Sequence, residues 1–344
     1  MTEIHTEEAE KNEKQGLRER ITHGIGESLR ERKAQNEGLS LRGLTARELV
    51  RAANHFPVLG DMRRNGELQN LKSDHEPKWR CPEDLILTKI EMEHFEMELL
   101  VRSDEEEARP YRHVILQLHG GGYYGRMHNV YRDSAAMYIE VSGGYDVLTP
   151  DYRVAPDNPY PAALEDALEA YKWLLEQDYT AERIIIAGDS AGGGLSLALT
   201  LYLKDHGMPM PGGIITMSAW TDLTKSGDSY QENYDSDPIF GGSKHTLVYK
   251  EGYYGEHDPH DPYISPVFGD YRGFPPMLMQ VGSLEMLLDD TLSVSERARY
   301  AGVHIKTHVY KGMFHIFQMG FKLYPESADA WKEVSQFLRI VRER

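Results

Sequence analysis

The sequence predicts an α/β fold in which a mostly parallel sheet is covered by helices on both faces. From residue 83 onwards, short apolar runs such as RIIIAG and MLMQVG alternate with longer segments of helical periodicity. The apolar runs are rich in Ile and Val without strict alternation, as strands buried on both faces require. Glycine-rich segments follow two of these runs. Both therefore belong at the carboxyl edge of the predicted sheet, where open α/β folds bind ligands.

Each predicted element has its own signal. The strands, in chain order, are ILTKIEM, FEMELLV, HVILQLH, YDVLTP, RIIIAG, GGIITMSA, MLMQVG and VHIKTHVY. The helices are residues 130–142, PAALEDALEAYKWLLEQ, AGGGLSLALTLYLKDHG, TLSVSERARYAG and SADAWKEVSQFLRIVRER. The first two strands are expected to pair around Glu93 and His94, and the later strands alternate with helices, which is typical of a parallel sheet.

The chain divides into three parts by residue composition and periodicity. Residues 1–82 are predicted to be an N-terminal extension that contributes cap helices, with residues 1–35 a disordered arm or a solvated helix because charged side chains dominate there. Within this extension Thr45 is the predicted N-cap of a helix, with Glu48 completing a capping box. Residues 83–219 and 276–344 form the α/β domain. The insertion at 220–275, rich in Trp, Tyr, Asp, Gly and Pro, is expected to hold at most one or two short helices.

Composition narrows the class of protein. The net charge is −17, from 55 acidic and 38 basic residues, which argues against nucleic acid or anionic membranes as partners. No window approaches eighteen apolar residues and the N-terminus has no apolar signal region, so we expect a cytoplasmic protein. Cys81 is the only cysteine, which excludes an intramolecular disulfide and favours a plain thiol.

Residues 188–194, GDSAGGG, join the strand-like RIIIA to the helix-like LSLALTLYL. Gly188, Ser190 and Gly192 fit the pattern G-x-S-x-G, in which small residues flank a serine on a very tight turn. Such a turn exposes the hydroxyl at the end of a strand, above the N-terminus of a helix. Ser190 is therefore a candidate nucleophile, although an ordinary glycine-rich turn can carry the same letters.

A second glycine motif, HGGGYYG, starts at His119, where the predicted strand HVILQLH ends. Glycines let the backbone approach a substrate, and N–H groups aimed at a developing oxyanion are the expected use of such a loop. An ordinary glycine-rich turn is again the alternative. Since each motif lies at the C-terminal end of a predicted strand, the two point to one crevice.

A serine nucleophile needs a base, and the base needs an acid to orient it. His315 lies in KGMFHIFQMG, between the last strand and the last helix, where the chain order Ser, acid, His requires the histidine. His304 and His308 alternate within a predicted strand and suit this role less well.

The acid is expected in the segment that follows MLMQVG. Glu285, Asp289 and Asp290 are the candidates there. Glu285 stands on the loop three residues past the end of the strand and is the preferred candidate. Asp289 and Asp290 suit the cap and first turn of the next helix, where carboxylates stabilise the helix N-terminus. The choice among the three stays open at this stage.

Together these segments resemble the hormone-sensitive lipase family of α/β hydrolases, in particular its bacterial esterase branch. The resemblance runs from about Ile115 to the C-terminus and rests on HGGG (119–122), DYRVAPDNPYPAALED (151–166), GDSAGG (188–193), Ser265-Pro266, PPMLMQVGSLEMLLDD (275–290) and GMFHIF (312–317). It implies the α/β-hydrolase fold, with 83–219 and 276–344 as the catalytic domain and a helical cap built from the N-terminal extension and the insertion. In the family Asp151, Arg153 and Asp166 are structural.

Carried over to this chain, the resemblance implies Ser190 as nucleophile and His315 as general base and acid. The N–H groups of Gly121, Gly122 and Ala191 would be the oxyanion donors. The family usually has Asp where this chain has Glu285, although a subset with the pattern VGSxExLLxD has Glu.

The expected reaction is hydrolysis of a small carboxylic ester through an acyl-enzyme, without cofactor or metal. Acyl chains from acetyl to about hexanoyl are what the resemblance implies. Residues expected to contact the substrate, unless they are simply lid core, are Tyr123, Tyr124, Trp220, Tyr253 and Tyr254. The HDPHD segment (257–261) is the nearest approach to a metal-ligand cluster, and lies in a loop. A homodimer is expected only by analogy with the family.

Two alternatives stay open. One is a dedicated deacetylase for an acetyl ester or amide of a sugar or secondary metabolite, which the tyrosine-rich polar insertion favours. The other is a non-catalytic ligand receptor on the same fold. The presence of Ser190, Glu285 and His315 argues against a receptor, because receptors on this fold lose the histidine.

Overall fold

Eight strands form one sheet in the order β1-β2-β4-β3-β5-β6-β7-β8. The strands are Leu85–Glu91 (β1), Glu96–Arg102 (β2), Val114–Leu118 (β3), Asp146–Pro150 (β4), Ile184–Asp189 (β5), Gly213–Met217 (β6), Met277–Gly282 (β7) and Ile305–Tyr310 (β8). Strands β1 and β2, and β2 and β4, pair antiparallel, and every other pair is parallel. The predicted mostly parallel sheet is therefore confirmed.

This computed structural model describes residue 36 and residues 38–55, 76–104, 111–243 and 245–343. The helices are Leu41–His55 (α1), Asn129–Ser142 (α2), Ala162–Glu176 (α3), Ser190–Asp205 (α4), Ser229–Glu232 (α5), Leu288–Tyr300 (α6) and Pro325–Arg342 (α7). Short 3-10 turns are Ala181–Arg183, Leu247–Tyr249, Pro266–Phe268 and Phe317–Gly320. Ser40–Arg344 form one compact unit. Residues 1–35 and 56–75, on which part of the N-terminal prediction falls, lie outside the described residues.

The central strands are buried on both faces, which explains their continuous apolar runs. Every residue of β3 to β7 is buried. In β5, Ile184 and Ile186 pack into one core cluster with α3 and α4, while Ile185 and Ala187 face a second cluster with α2 and α7. Burial removes apolar surface from water on both sides of the sheet and so stabilises the layered arrangement.

Helix α1 begins earlier than the sequence pattern indicates. The predicted N-cap, Thr45, is wrong: it lies inside the helix, and its hydroxyl donates to the Leu41 carbonyl oxygen at 2.8 Å. Ser40 precedes the helix and its Oγ accepts the Gly43 N–H at 2.9 Å. The carboxylate of Glu326 on α7 accepts both the Ser40 N–H and its hydroxyl, at 2.5 and 2.8 Å. This contact with a residue distant in the sequence sets the start of the helix.

Helix α1 also contacts two loops at the carboxyl edge of the sheet. The buried Arg47 donates to the Gly312 carbonyl oxygen at 3.2 Å, in the loop after β8. Arg51 donates to the Ser236 carbonyl oxygen at 3.0 Å, in the insertion. The insertion itself holds one four-residue helix and two 3-10 turns, close to the predicted content. The division into extension, catalytic domain and insertion stays a prediction.

The DYRVAPDNPYPAALED segment makes structural contacts. The Arg153 guanidinium pairs with the fully buried carboxylate of Asp166, with Nη2 and Oδ1 2.6 Å apart. Asp151 accepts the Met127 N–H at 2.9 Å. The first contact joins the start of α3 to the loop after β4, and the second joins that loop to the loop after β3. Both agree with a scaffolding role.

Within the described ranges, no helix has both the length and the apolar character that crossing a bilayer requires.

Candidate active site

Ser190 stands on a strained turn between β5 and α4. Its φ is +51°, in the left-handed region that non-glycine residues rarely adopt. A Cβ on Gly188 would lie 2.2 Å from the Gly192 carbonyl oxygen, and one on Gly192 would lie 2.0 Å from that of Leu118 on β3. The two glycines are needed because the start of the helix packs directly against β3 and β5. The turn raises the serine hydroxyl at the end of its strand.

The structure brings Ser190, His315 and Glu285 into one hydrogen-bonded chain. His315 Nε2 lies 2.9 Å from Ser190 Oγ, and His315 Nδ1 lies 3.0 Å from Glu285 Oε2. The exposed fraction is 6% for Ser190, 2% for His315 and 0% for Glu285, so these three hydrogen-bonded side chains are shielded from water. With Nδ1 donating to the carboxylate, Nε2 is left to accept the serine proton. His308, the alternative on β8, contacts Glu333 on α7 instead.

The competing carboxylates bind the backbone of the insertion. Asp290 Oδ2 accepts the N–H groups of Thr221 and Asp222, at 2.6 and 2.8 Å. Asp289 Oδ2 accepts the Ser229 N–H at 2.8 Å. Both residues lie in the first turn of α6, as predicted, although Leu287 is the cap. Their hydrogen bonds anchor the insertion to that helix, and Glu285 alone of the three candidates contacts His315.

The HGGG loop follows β3 and lies at the same edge of the sheet as the hydroxyl of Ser190. Gly121 and Gly122 have φ of +114° and +64°, and a turn closes behind them through the Gly125 N–H to the Gly121 carbonyl oxygen at 2.9 Å. Neither glycine N–H has an acceptor within the described part of the chain. Ala191 is the second residue of α4, where N–H groups have no acceptor inside the helix. These three donors can serve an anion at the end of β5.

His119 anchors the base of this loop and is not a second base. It is fully buried, its ring stacks on Tyr152 with centroids 4.0 Å apart, and its Nδ1 donates to the Gly120 carbonyl oxygen at 2.8 Å. Burial lowers the pKa of His119 to about 4, so the ring is neutral near pH 7. Tyr152 donates its hydroxyl to the His119 carbonyl oxygen at 2.6 Å, which holds the loop from the other side.

Asp189, next to Ser190, is a buried carboxylate to which the sequence motif assigned no role. A Cβ on Gly120 would lie 2.3 Å from Asp189 Oδ2, so this carboxylate packs directly against the HGGG loop. Burial raises the pKa of Asp189 to about 7, and the nearby His315 opposes this rise. The sequence pattern does not reveal the burial or the raised pKa of Asp189, because an Asp directly before a helix is usually an N-cap.

The aromatic residues expected to contact the substrate are buried. Tyr123, Trp220 and Tyr253 are each 1% exposed, and the rings of Tyr123 and Tyr253 stack with centroids 3.6 Å apart. Tyr124 and Tyr254 are 8% exposed. This layer packs under the HGGG loop as part of the core, which is the lid-core alternative that the sequence left open. A role in substrate binding stays a prediction for all five.

Two apolar side chains of the insertion flank the site and were missed from the sequence. The Phe240 ring lies against the His315 ring, with centroids 4.6 Å apart. Leu247 packs on Gly122, where a Cβ would lie 2.9 Å from Leu247 Cδ1. Neither stands in a motif, so only the tertiary structure reveals them. Phe240 thus lies beside the imidazole of His315, and Leu247 lies beside the backbone of the HGGG loop.

The fold and the serine turn, with histidine, carboxylate and HGGG loop at one sheet edge, define the α/β-hydrolase class. A family described by the α/β-hydrolase fold matches residues 115–319, more than half of the chain. The chain belongs to this family.

Relatives with assigned names agree on the kind of reaction. An esterase of Acinetobacter venetianus is 36% identical over 69% of this chain and 78% of its own length. An acetyl-hydrolase of Streptomyces hygroscopicus is 35% identical over 68% of this chain and 79% of its own. An esterase structure from the bacterial hormone-sensitive lipase family superposes with a TM-score of 0.76, at 31% identity, over 88% of this chain and 99% of that one. The resemblance is confirmed, and the chain is a carboxylesterase.

Proposed function

We propose that the chain hydrolyses short-acyl carboxylic esters through an acyl-enzyme, with Ser190, His315 and Glu285 as the triad. The observation that carries this proposal is the pair of hydrogen bonds from Ser190 Oγ to His315 Nε2 and from His315 Nδ1 to Glu285 Oε2, 2.9 and 3.0 Å long. The order and geometry are those of a nucleophile, its base and the orienting acid.

In the first half-reaction His315 takes the proton of Ser190 as Oγ attacks the ester carbonyl carbon. The tetrahedral oxyanion accepts hydrogen bonds from the N–H groups of Gly121, Gly122 and Ala191, where charge develops. Collapse of this intermediate breaks the bond to the alkoxy oxygen, and the imidazolium delivers its proton to the leaving alcohol. Glu285 stabilises the imidazolium throughout and keeps Nε2 facing the serine.

In the second half-reaction a water molecule attacks the acyl-enzyme carbonyl carbon. His315 takes one proton from this water, and the same oxyanion donors stabilise the second intermediate. Breakdown releases the carboxylic acid, and the proton returns from His315 to Ser190 Oγ. The sum is one ester and one water converted to one acid and one alcohol.

The preference for short acyl groups is supported by the buried apolar side chains that pack against the site. Phe240 lies against His315 and Leu247 lies against Gly122, and both side chains are buried. With Ser190 only 6% exposed, a long acyl chain would have to displace these side chains. One solved relative, EstE5, which is 29% identical with a TM-score of 0.77, was soaked with p-nitrophenyl butyrate. A four-carbon acyl group is a natural first probe here.

The test is a ladder of p-nitrophenyl esters from acetate to dodecanoate, with wild type, Ser190→Ala and Ser293→Ala. We expect the highest kcat/KM at six carbons or fewer. Ser190→Ala should lose about 10⁴-fold or more in kcat, since the covalent step disappears. Ser293→Ala, a serine on α6, should behave as wild type. A wild type inactive on every ester, or an active Ser190→Ala, would overturn the proposal.

A dedicated deacetylase is the second candidate, and the relative named acetyl-hydrolase favours it. The mechanism would be the same, with acetyl as the only acyl group accepted. On the ester ladder this candidate requires activity on acetate and at least a hundredfold lower kcat/KM on butyrate. Comparable rates on the two esters would exclude it. A homodimer, expected by family analogy, stays a prediction.

A further inference from the structure

Ser218 is a fully buried serine just beyond β6, in a backbone conformation that few serines adopt. Its φ is +52°, and its N–H donates to the Gln280 carbonyl oxygen on β7 at 2.7 Å. A strained conformation in a packed core persists only where the surroundings hold it. The residue lies at the carboxyl edge of the sheet, between the strand that carries the nucleophile and the strand that precedes the acid.

The Ser218 hydroxyl joins two loops of the site. It donates to Glu285 Oε1 at 2.8 Å and accepts the Ile316 N–H at 3.0 Å. Ile316 follows His315 directly and has a φ of +51°, an outlier for a β-branched residue. One hydroxyl therefore holds both the carboxylate that orients the histidine and the backbone that carries it.

We propose that Ser218 is a positioning residue for ester hydrolysis that acts through Glu285. It has no contact with the substrate in this role. The inference rests on the proposed triad, since a residue that positions Glu285 matters only if Glu285 is the acid. Ser218 is then a fourth side chain that affects the rate, and its effect depends on Glu285.

The physical reason lies in the length of glutamate. A glutamate has one more rotatable bond than an aspartate, so its carboxylate needs more restraint to present one oxygen to the imidazole. Oε1 accepts both the Ser218 hydroxyl and the Gly282 N–H, the latter at 2.5 Å. Oε2 is thereby aimed at His315 Nδ1, 3.0 Å away. Partners that orient metal ligands change affinity or activity 10- to 100-fold when removed, and we apply the same range to the partner of this carboxylate.

The experiment is a double-mutant cycle on p-nitrophenyl butyrate hydrolysis. It compares wild type, Ser218→Ala, Ser218→Gly, Glu285→Gln and the two double variants. Glycine tolerates a φ of +52° whereas alanine is strained there, so the two substitutions separate loss of the hydroxyl from backbone strain. Ser295→Ala, which removes another fully buried serine hydroxyl, on α6, is the matched control.

We expect both Ser218 variants to lower kcat about 10- to 100-fold with KM within about twofold. In the Glu285→Gln background, the same substitutions should change kcat by less than about threefold, because the carboxylate they position is gone. Ser295→Ala should keep the wild-type kcat.

Each contrary result has a separate meaning. If Glu285→Gln keeps the wild-type kcat, the proposed triad fails and the inference fails with it. If Glu285→Gln is impaired but both Ser218 variants keep wild-type kcat, only the inference fails. If the Ser218 substitutions lower kcat by the same factor in both backgrounds, Ser218 acts independently of Glu285 and the inference is overturned.

Discussion

The charge on Glu285 makes the sharpest prediction of the proposed mechanism. Glu285→Gln keeps the size of the side chain and removes only the charge and one acceptor oxygen. In the proposed mechanism His315 takes up a proton only when Ser190 attacks. The carboxylate therefore faces a cation only along the reaction path, and its loss should appear in kcat.

The magnitude follows from the distance. Two unit charges 3.0 Å apart, the separation of His315 Nδ1 and Glu285 Oε2, interact by roughly 5.5 kcal/mol at an effective dielectric constant of about 20. That energy corresponds to about 10⁴ in rate. A similar loss, about 10⁴-fold, accompanies removal of the charge from the acid of a serine-protease triad. We therefore expect kcat to fall by 10³- to 10⁴-fold, with KM within a few-fold.

The assay is steady-state hydrolysis of p-nitrophenyl butyrate by wild type, Glu285→Gln and Asp289→Asn. Asp289→Asn is the matched control because it also converts a carboxylate to an amide near this loop, and its carboxylate binds the Ser229 N–H instead of His315. Thermal unfolding of all three proteins shows whether they are folded at the assay temperature. Glu285→Gln within threefold of wild type would refute the reasoning, and a much larger loss in Asp289→Asn would move the acid to α6.

Three further predictions concern the turn, the neighbouring carboxylate and the acyl site. Gly192→Ala should fail to fold or lose several kcal/mol of stability, measured by thermal unfolding, because its Cβ would lie 2.0 Å from the Leu118 carbonyl oxygen. Burial raises the pKa of Asp189 from 3.8 to about 7, so the folded state keeps a proton between these values that the unfolded state releases. Wild-type stability should therefore fall as pH rises through this window, by at most roughly 4 kcal/mol. Urea unfolding at pH 5 and pH 8 should show the free energy of unfolding of Asp189→Asn rising relative to that of wild type as pH rises. Leu247→Ala should raise the ratio of kcat/KM for octanoate over butyrate about tenfold, because it removes the side chain packed on Gly122.

Each of these has a control and a contrary outcome. Gly207→Ala places a Cβ in open space at a φ of +61°, so it should cost only about 1–2 kcal/mol. A loss at Gly192 no larger than this would mean that the contact with the Leu118 carbonyl oxygen is relieved without a large cost. A stability difference for Asp189→Asn that does not change with pH would mean that the carboxyl titrates normally. An unchanged chain-length ratio would remove Leu247 from the acyl site.

Local patterns predicted the strands and helices of the sheet well, because each depends on neighbouring residues. Runs such as that of β5 are apolar on both faces since both faces are covered, and the periodicity of α3 and α7 is that of helices with one buried side. The start of α1 could not be predicted in this way. Ser40 caps it instead of Thr45 because Glu326, 286 residues further on, binds Ser40.

The residues of the candidate site also fall into those that a local pattern predicts and those that it does not. Ser190, His315 and the HGGG loop stand in motifs whose residues must be consecutive, since a tight turn or a run of free N–H groups is a local property. The acid could not be chosen among three carboxylates from the sequence. Which of them contacts His315 depends on how the loop after β7 folds back against the loop after β8, a contact between separate segments.

The sequence by itself therefore determined the fold class, the tight turn at Ser190 and the place of the HGGG loop, since each depends on a short stretch of chain. Only the tertiary structure decided the neighbours of that site: Glu285 beside His315, Ser218 between the two loops, and Phe240 on the imidazole. These contacts join residues that lie far apart in the sequence. Their distances depend on sheet order, loop length and packing, which no local pattern encodes.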